Sequence, residues 1–301
     1  MKESKYYPLF LLFLSAFIWG GSFILIKRGL DSFTPGEVGA LRIFFAFMFM
    51  LPHALMNINK IPRDKLITLF ISGLIGNFIP AFLFAIAETK MTSALAGILN
   101  ALTPIFALII GVFIFKNKLT WLQISGIILG FIGTVGLSFV NNSGGMGSFN
   151  FYVFYIVLAT ICYGFNVHQI RRYLHDIKGF TITAMAMFFT GPLAILYLVF
   201  DGFDVVKSVS HDSINSLIAI AILGILNTAI ALAIMNKVIK MTSAEYGSSV
   251  TYIIPIAALL IGVFNDEQIY IWHFAGMALI IVGVLMINRK MKNKLNVIEE
   301  D

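Results

Sequence analysis

The sequence predicts an all-α, polytopic membrane protein whose ten transmembrane helices form two inverted five-helix repeats. Three observations support this prediction: the composition, the spacing of apolar runs and an internal repeat. Of 301 residues, 59% are hydrophobic and only 12% are charged, with a mean hydropathy of +0.91. Soluble domains average about 25% charged residues. The composition therefore excludes an ordinary soluble enzyme, a disordered chain and a nucleic-acid-binding protein.

The apolar runs are long enough to cross a bilayer, which requires about 20 residues for each helix. They are continuously apolar rather than alternating, so they indicate helices and not barrel strands. We interpret the first run as a retained span, because no cleavage signal follows it. The ten predicted spans are 8–27, 36–55, 66–87, 92–115, 120–140, 151–168, 180–200, 216–237, 241–264 and 269–287.

The basic residues predict an orientation in the inner membrane. With a cytoplasmic N-terminus, sixteen of the 21 lysines and arginines lie in inside segments and four in outside segments, while Arg42 lies within a span. Cytoplasmic loops carry such an excess of positive charge. We therefore expect a multi-pass protein with both termini in the cytoplasm.

The chain contains an internal repeat. Thr92-Ser93-Ala94 returns as Thr242-Ser243-Ala244, an offset of 150 residues. Further pairs are Asn77 with Asn227, Gly126 with Gly276 and Gly133 with Gly283 at the same offset, and Gly20 with Gly164 at an offset of 144. We predict a first repeat over 1–145 and a second over 146–301. Because five spans is an odd number, the second repeat must enter the membrane in the opposite sense.

An inverted duplication favours a secondary transporter, in which a substrate site lies between the repeats near the bilayer midplane. Two similar halves of opposite sense can exchange conformations, which opens the site first to one side and then to the other. A duplication retained only for stability is the alternative. For a chain that is nearly all membrane helix, we favour transport.

The order of several short motifs carries a family resemblance. The first spans contain Trp19-Gly20-x-Ser22-Phe23, then Pro35 and Leu41-Arg42; the fourth begins Thr92-Ser93-Ala94 and continues to Leu102-x-Pro104. The chain resembles the drug/metabolite transporter superfamily, specifically its EamA-domain ten-helix exporters. This resemblance implies export of an amino acid, another small metabolite or an amphipathic toxic compound. The family's Gly-Glu after spans four and nine is replaced here by Lys116-Asn117 and Asp266-Glu267.

Polar and aromatic residues near the middles of the spans are the predicted substrate-binding groups. Polar side chains inside a bilayer usually face the bundle interior or a cavity, although asparagines can instead bond neighbouring helices. The candidates are Trp19, Asn77, Asn100, Thr103, Tyr163, Asn227, Thr251 and Tyr252.

Five further residues are structural or coupling candidates. Arg42 should be paired or reach the outer interface, and Glu88 is either its partner or an ordinary loop acid. Glu245, which replaces Leu95 of the first repeat, is a candidate proton carrier, although it could also extend to the interface. Pro104 and Pro255 are expected to kink or unwind their spans, which frees backbone carbonyls.

The sequence lacks several kinds of site. It contains no phosphate-binding loop for ATP and a single cysteine, Cys162, so no cysteine-based metal site forms. We expect no cofactor, no metal and no enzymatic activity. The expected partners are a small-molecule solute, the lipid bilayer and a proton or other coupling ion, in a monomer or homodimer. The alternatives are a passive channel or facilitator and a membrane-embedded lipid-modifying enzyme.

Overall fold

The computed structural model describes residues 6–115, 119–140, 147–241 and 250–298. Seven helices are long and apolar enough to cross a membrane, and three shorter apolar helices complete the predicted ten. The bounds are α1 Tyr7–Gly29, α2 Pro35–Lys60, α3 Arg63–Glu88, α4 Ser93–Ile114, α5 Trp121–Ser138, α6 Val153–Tyr173, α7 Gly179–Phe200, α8 Ile214–Met241, α9 Val250–Phe264 and α10 Ile271–Ile298. The predicted fold class is confirmed.

Local sequence sets where several helices begin. Thr34 and Glu37 form a reciprocal capping box at the start of α2, where Pro35 occupies the first turn. Thr120 and Gln123 form the same arrangement at the start of α5. Each box satisfies two backbone N–H groups that a helix end leaves without partners.

Helix packing follows the duplication. Exchanging the two halves, so that α1 takes the place of α6 and α2 that of α7, converts each main contact into another observed contact or into itself. The contacts that are exchanged are α1–α9 with α4–α6, α1–α8 with α3–α6, and α2–α8 with α3–α7. The α2–α7 and α5–α10 contacts are each converted into themselves. The chain therefore has two structurally equivalent halves.

The equivalent helices α5 and α10 are antiparallel. A Cβ atom added to Gly126 would lie 2.6 Å from the Gly283 carbonyl oxygen, and one added to Gly133 would lie 2.8 Å from the Gly276 carbonyl oxygen. Residue numbers therefore rise along α5 as they fall along α10. These glycines therefore pack against each other within one chain. Their lack of side chains lets the two helix backbones approach closely.

The equivalent helices α2 and α7 are antiparallel too. The α2 N-terminus at Gly36 packs against Tyr197 near the end of α7, and His53 near the end of α2 lies 3.2 Å from the Thr181 hydroxyl at the start of α7. Two pairs of equivalent helices thus run in opposite directions. This arrangement confirms the inverted sense of the second half.

The helices around the two candidate prolines, Pro104 and Pro255, differ in regularity. Helix α4 is interrupted by a turn at Ala101 and Leu102, two residues before Pro104, where the N–H groups of both residues bond carbonyls three residues earlier. Such bonds tighten the helix rather than unwind it. Helix α9 instead continues through Pro255 without a break. Among the described residues, only α4 is therefore irregular near its proline, and the unwinding considered for the two spans is found in neither. Glu245 and the second copy of the Thr-Ser-Ala motif lie outside the residues that the structure describes.

Candidate substrate site

Two π-helical segments occupy equivalent places in the halves. One is Leu74–Phe78 in α3, which contains Asn77, and the other is Leu223–Ile230 in α8, which contains Asn227. In both, the N–H group that follows the segment bonds the carbonyl five residues earlier. Such segments are rare and often occur at functional sites. Sequence reasoning found the asparagine pair but not the π-helices around it.

Trp19 of α1 contacts the π-helix of α8. Its indole N–H donates to the backbone carbonyl of Asn227 at 3.0 Å. In an α-helix that carbonyl would accept from the N–H of Ala231, which here bonds Leu226 instead. The π-helix thus makes a carbonyl available to Trp19. The Asn227 side chain is 6% exposed, and its amide nitrogen has no hydrogen-bond partner among the described residues.

The first repeat builds a related contact with different side chains. Asn166 of α6 lies against Gly76 of the α3 π-helix, where a Cβ atom would overlap its amide. The Ser72 hydroxyl donates to Asn166 Oδ1 at 2.7 Å. Asn77 itself is half-buried. Sequence reasoning missed Asn166, although its place three residues after Tyr163 on the same helix was a usable signal.

The break in α4 places a third asparagine beside a hydroxyl group. The Thr103 hydroxyl donates to the Asn100 backbone carbonyl at 2.8 Å. The Asn100 side-chain oxygen is buried, and the described part of the chain provides no hydrogen bond to it. Thr251 and Tyr252 are half-buried on α9, which packs along this part of α4. A buried polar atom without a partner is costly, which makes the Asn100 side-chain oxygen a candidate contact for a solute.

Arg42, Tyr163 and Glu88 form an electrostatic cluster from α2, α6 and α3. The Arg42 guanidinium is within electrostatic range of both the Tyr163 hydroxyl and the Glu88 carboxylate. The Tyr163 ring stacks on Phe84, with centroids 6.2 Å apart. The direct ion pair considered for Arg42 and Glu88 is not formed, because no carboxylate among the described residues lies within 4 Å of the guanidinium.

Glu88 is not an ordinary loop acid. It is 0% exposed, and neither carboxylate oxygen has a hydrogen-bond partner among the described residues. The Lys27 ammonium is held nearby, since it donates to the backbone carbonyls of Glu88 at 2.8 Å and Met91 at 3.2 Å. The Lys27 charge therefore acts on the Glu88 carboxylate without a hydrogen bond between the two side chains. A buried acid of this kind is a candidate for proton exchange or for binding a cationic group.

Glu267 has a different role at the same end of the bundle. Its carboxylate accepts from the backbone N–H groups of Ser93 at 2.7 Å and Ala94 at 3.0 Å, while the Thr92 hydroxyl caps Leu95. A carboxylate at a helix N-terminus is favoured by the free N–H groups and the helix dipole. Glu267 thus ties the loop before α10 to the start of α4. Its repeat counterpart, Asn117, lies outside the described residues.

The structure brings the predicted residues into two groups. Trp19 contacts Asn227, while the charge of Arg42 acts on both Tyr163 and Glu88. Asn77, Asn100 and Thr103 occupy the π-helix of α3 and the broken region of α4. The described residues contain no group of three or more His, Cys, Asp or Glu side chains that could hold a metal ion. The arrangement offers hydrogen-bonding amides, one buried acid and one arginine between helices of both repeats.

Comparison with known proteins assigns the chain to a family. The EamA-like transporter family matches residues 7–139 and 150–289. The inner membrane transporter YedA of Escherichia coli is 24% identical over 95% of this chain and 92% of its own length. A probable terminal-alkyne amino-acid exporter of Streptantibioticus cattleyicolor is 22% identical over 96% and 95%. A crystal structure with 17% identity covers 94% of this chain and 96% of its own, with a TM-score of 0.63. The chain belongs to the EamA-like transporter family.

Proposed function

We propose that the protein is a secondary transporter that exports a small organic solute by alternating access across the inner membrane. The observation that supports this most strongly is the pair of repeat-related π-helices. They carry Asn77 and Asn227 in halves whose equivalent helices run in opposite directions. Two halves that pack equivalently can exchange conformations, which exposes a site between them to each side in turn.

An amino acid is the proposed solute class. The amide groups of Asn77, Asn100 and Asn227 would hydrogen-bond its polar end, while Trp19 and Tyr163 supply aromatic surface for its side chain. Thr103, Thr251 and Tyr252 complete the proposed site from α4 and α9. The relative named as an amino-acid exporter supports this choice of solute.

Proton coupling is proposed through Glu88. The carboxylate is buried, lacks a hydrogen bond among the described residues and lies within electrostatic range of Lys27 and Arg42. Burying an ionised carboxylate without a direct partner costs free energy. Proton binding removes that charge, so the protonation state of Glu88 can favour one conformation over the other.

Counterflow in proteoliposomes tests the transport proposal. Vesicles loaded with an unlabelled amino-acid mixture should accumulate labelled amino acid transiently and saturably. Asn227→Ala should raise KM about fivefold, since a lost hydrogen bond is worth about 1 kcal/mol. Asn57→Ala is the matched control, because Asn57 bonds the His53 carbonyl at the end of α2. An open pore cannot support counterflow, so uptake that only equilibrates would contradict the proposal.

The proposed orientation makes a separate prediction. In a Cys162→Ala background, Lys90→Cys should react with a membrane-impermeant maleimide added to intact cells. Lys240→Cys should react only after the membrane is permeabilised. Lys240 follows Lys90 by the repeat offset of 150 residues, and the inverted second repeat places it on the opposite side of the membrane. Labelling of both positions from the same side would overturn the proposed topology.

A further inference from the structure

A cavity of about 440 Å³ opens on the side of the bundle between α3, α4 and α6. We call it the basic groove and define it by Ile71, Ile114, Cys162, Phe165, Arg172 and Tyr173. Its apolar walls are exposed: Ile71 is 40%, Ile114 41%, Phe165 47% and Tyr173 46% accessible. In a membrane-spanning chain, exposed apolar side chains at these positions face lipid. The residues proposed to bind solute do not line it.

Two hydrogen bonds fix the floor of the basic groove. Gln169 donates to the Thr68 carbonyl at 2.6 Å, which joins α6 to α3. The His168 ring lies 2.6 Å from the Ala107 carbonyl oxygen, which joins α6 to α4. The groove is therefore a formed feature of three packed helices. Its size falls within the range of small-ligand pockets, about 300–1,000 Å³.

One end of the basic groove is positively charged. Arg172 and Tyr173 are exposed there at the end of α6. Arg172 is the basic residue with a permanent charge among those that line the groove. The two chain segments next to this end, 60–65 before α3 and 171–178 after the groove-lining part of α6, contain six basic and two acidic residues: Lys60, Arg63, Lys65, Arg171, Arg172 and Lys178 against Asp64 and Asp176. Lys65 lies 3.8 Å from Asp176 and also donates to the Tyr173 carbonyl, so part of this charge is neutralised locally. A net positive charge remains beside the groove.

We propose that the basic groove binds an anionic phospholipid. The headgroup phosphate lies at Arg172, and an acyl chain runs over Ile71, Ile114 and Phe165. Basic pockets between transmembrane helices favour anionic headgroups, and a tyrosine at the headgroup level is typical of the membrane interface. Charge complementarity selects this occupant, because a neutral solute or a lipophilic cation would gain nothing from the excess of basic residues.

The repeat supplies a matched control position. Arg28 of α1 is the counterpart of Arg172 of α6, at the offset of 144. It donates to Asn265 Oδ1 at 3.1 Å, at the start of the loop after α9. Arg28 therefore has the same charge and the same place in its repeat, but it does not line the basic groove.

Native mass spectrometry of the detergent-solubilised full chain tests the proposal. Titration with phosphatidylglycerol should give tighter binding than titration with phosphatidylcholine. Arg172→Gln should weaken phosphatidylglycerol binding about fivefold, the expected effect of one basic residue near an anionic lipid. Arg172→Lys should retain most of the preference, and Arg28→Gln should leave it unchanged. Cys162→Phe, which fills the groove, should also weaken binding.

Two results would overturn the inference. One is equal affinity of the wild-type protein for the two lipids, a comparison that needs no variant. The other is an equal loss of phosphatidylglycerol affinity in Arg28→Gln and Arg172→Gln, which would indicate nonspecific attraction to positive charge. Monodisperse elution of each variant confirms that its effect is not unfolding.

Discussion

Glu88→Gln is expected to abolish solute accumulation driven by a proton gradient while leaving solute exchange intact. Glutamine preserves the shape of the side chain but cannot release or bind a proton at neutral pH. A carrier that no longer exchanges its proton can still alternate with solute bound. In proteoliposomes with an imposed pH gradient, accumulation should therefore fall to the level of protein-free vesicles. Counterflow measured without a gradient should stay near the wild-type rate.

Glu267→Gln is the matched control for this prediction. Both glutamates lie at the same end of the bundle, but Glu267 accepts from the Ser93 and Ala94 backbone N–H groups. Its replacement weakens the cap of α4 and lowers stability, since hydrogen bonds to charged groups are worth about 1.5–3 kcal/mol. It should not remove the dependence on the proton gradient. Full gradient-driven accumulation by Glu88→Gln would exclude Glu88 as the proton carrier.

Gly283→Leu should produce a large loss of stability. A Cβ atom at Gly283 would lie 2.4 Å from the Gly126 carbonyl oxygen and 3.0 Å from the Gly130 nitrogen. Both are backbone atoms, so no side-chain rotation can make room, and α5 and α10 must separate. We expect a loss of about 3 kcal/mol in the free energy of unfolding, at the upper end for overpacked sites. Thermal unfolding of the detergent-solubilised protein measures this change.

Gly136→Leu is the control on the same helix pair. Among the residues that the structure describes, no atom apart from the nearby backbone of α5 lies within 4 Å of a Cβ atom at Gly136, which is exposed on α5. The variant should unfold within about 0.5 kcal/mol of the wild-type protein, as is usual for surface substitutions. Leucine has a higher helix propensity than glycine, so helix propensity cannot lower stability in either variant. Equal destabilisation by the two leucines would therefore show that the α5–α10 contact is not the cause of the loss.

The sequence determined the membrane class, the ten helices and the inverted duplication. The membrane class and the ten helices follow from the lengths of the apolar runs, and the inverted duplication follows from a repeat of five spans. Both features can be read from the sequence without knowledge of side-chain packing. The glycines are a clear case, because Gly126 and Gly133 return at the repeat offset as Gly276 and Gly283. Small residues at helical spacing predict close helix packing. Only the identity of the contacting pairs required the structure.

Tertiary structure alone decided the polar details of the candidate site. The hydrogen bond of Trp19 joins residues 208 positions apart, so no local pattern could place the indole on the Asn227 carbonyl. Pro80 is a partial signal for the π-helix of α3, since it provides no N–H to the preceding turn. The equivalent position in α8 is Ile230, which gives no such signal.

The same limit applies to the charged residues. Glu88 and Glu267 are both acids near a predicted external helix end, yet one is buried without a hydrogen bond among the described residues and the other caps α4. Their roles depend on which distant backbone groups and cations surround them. Hydropathy and repeat spacing determine where helices lie in the chain, whereas burial and hydrogen bonding are properties of the assembled bundle.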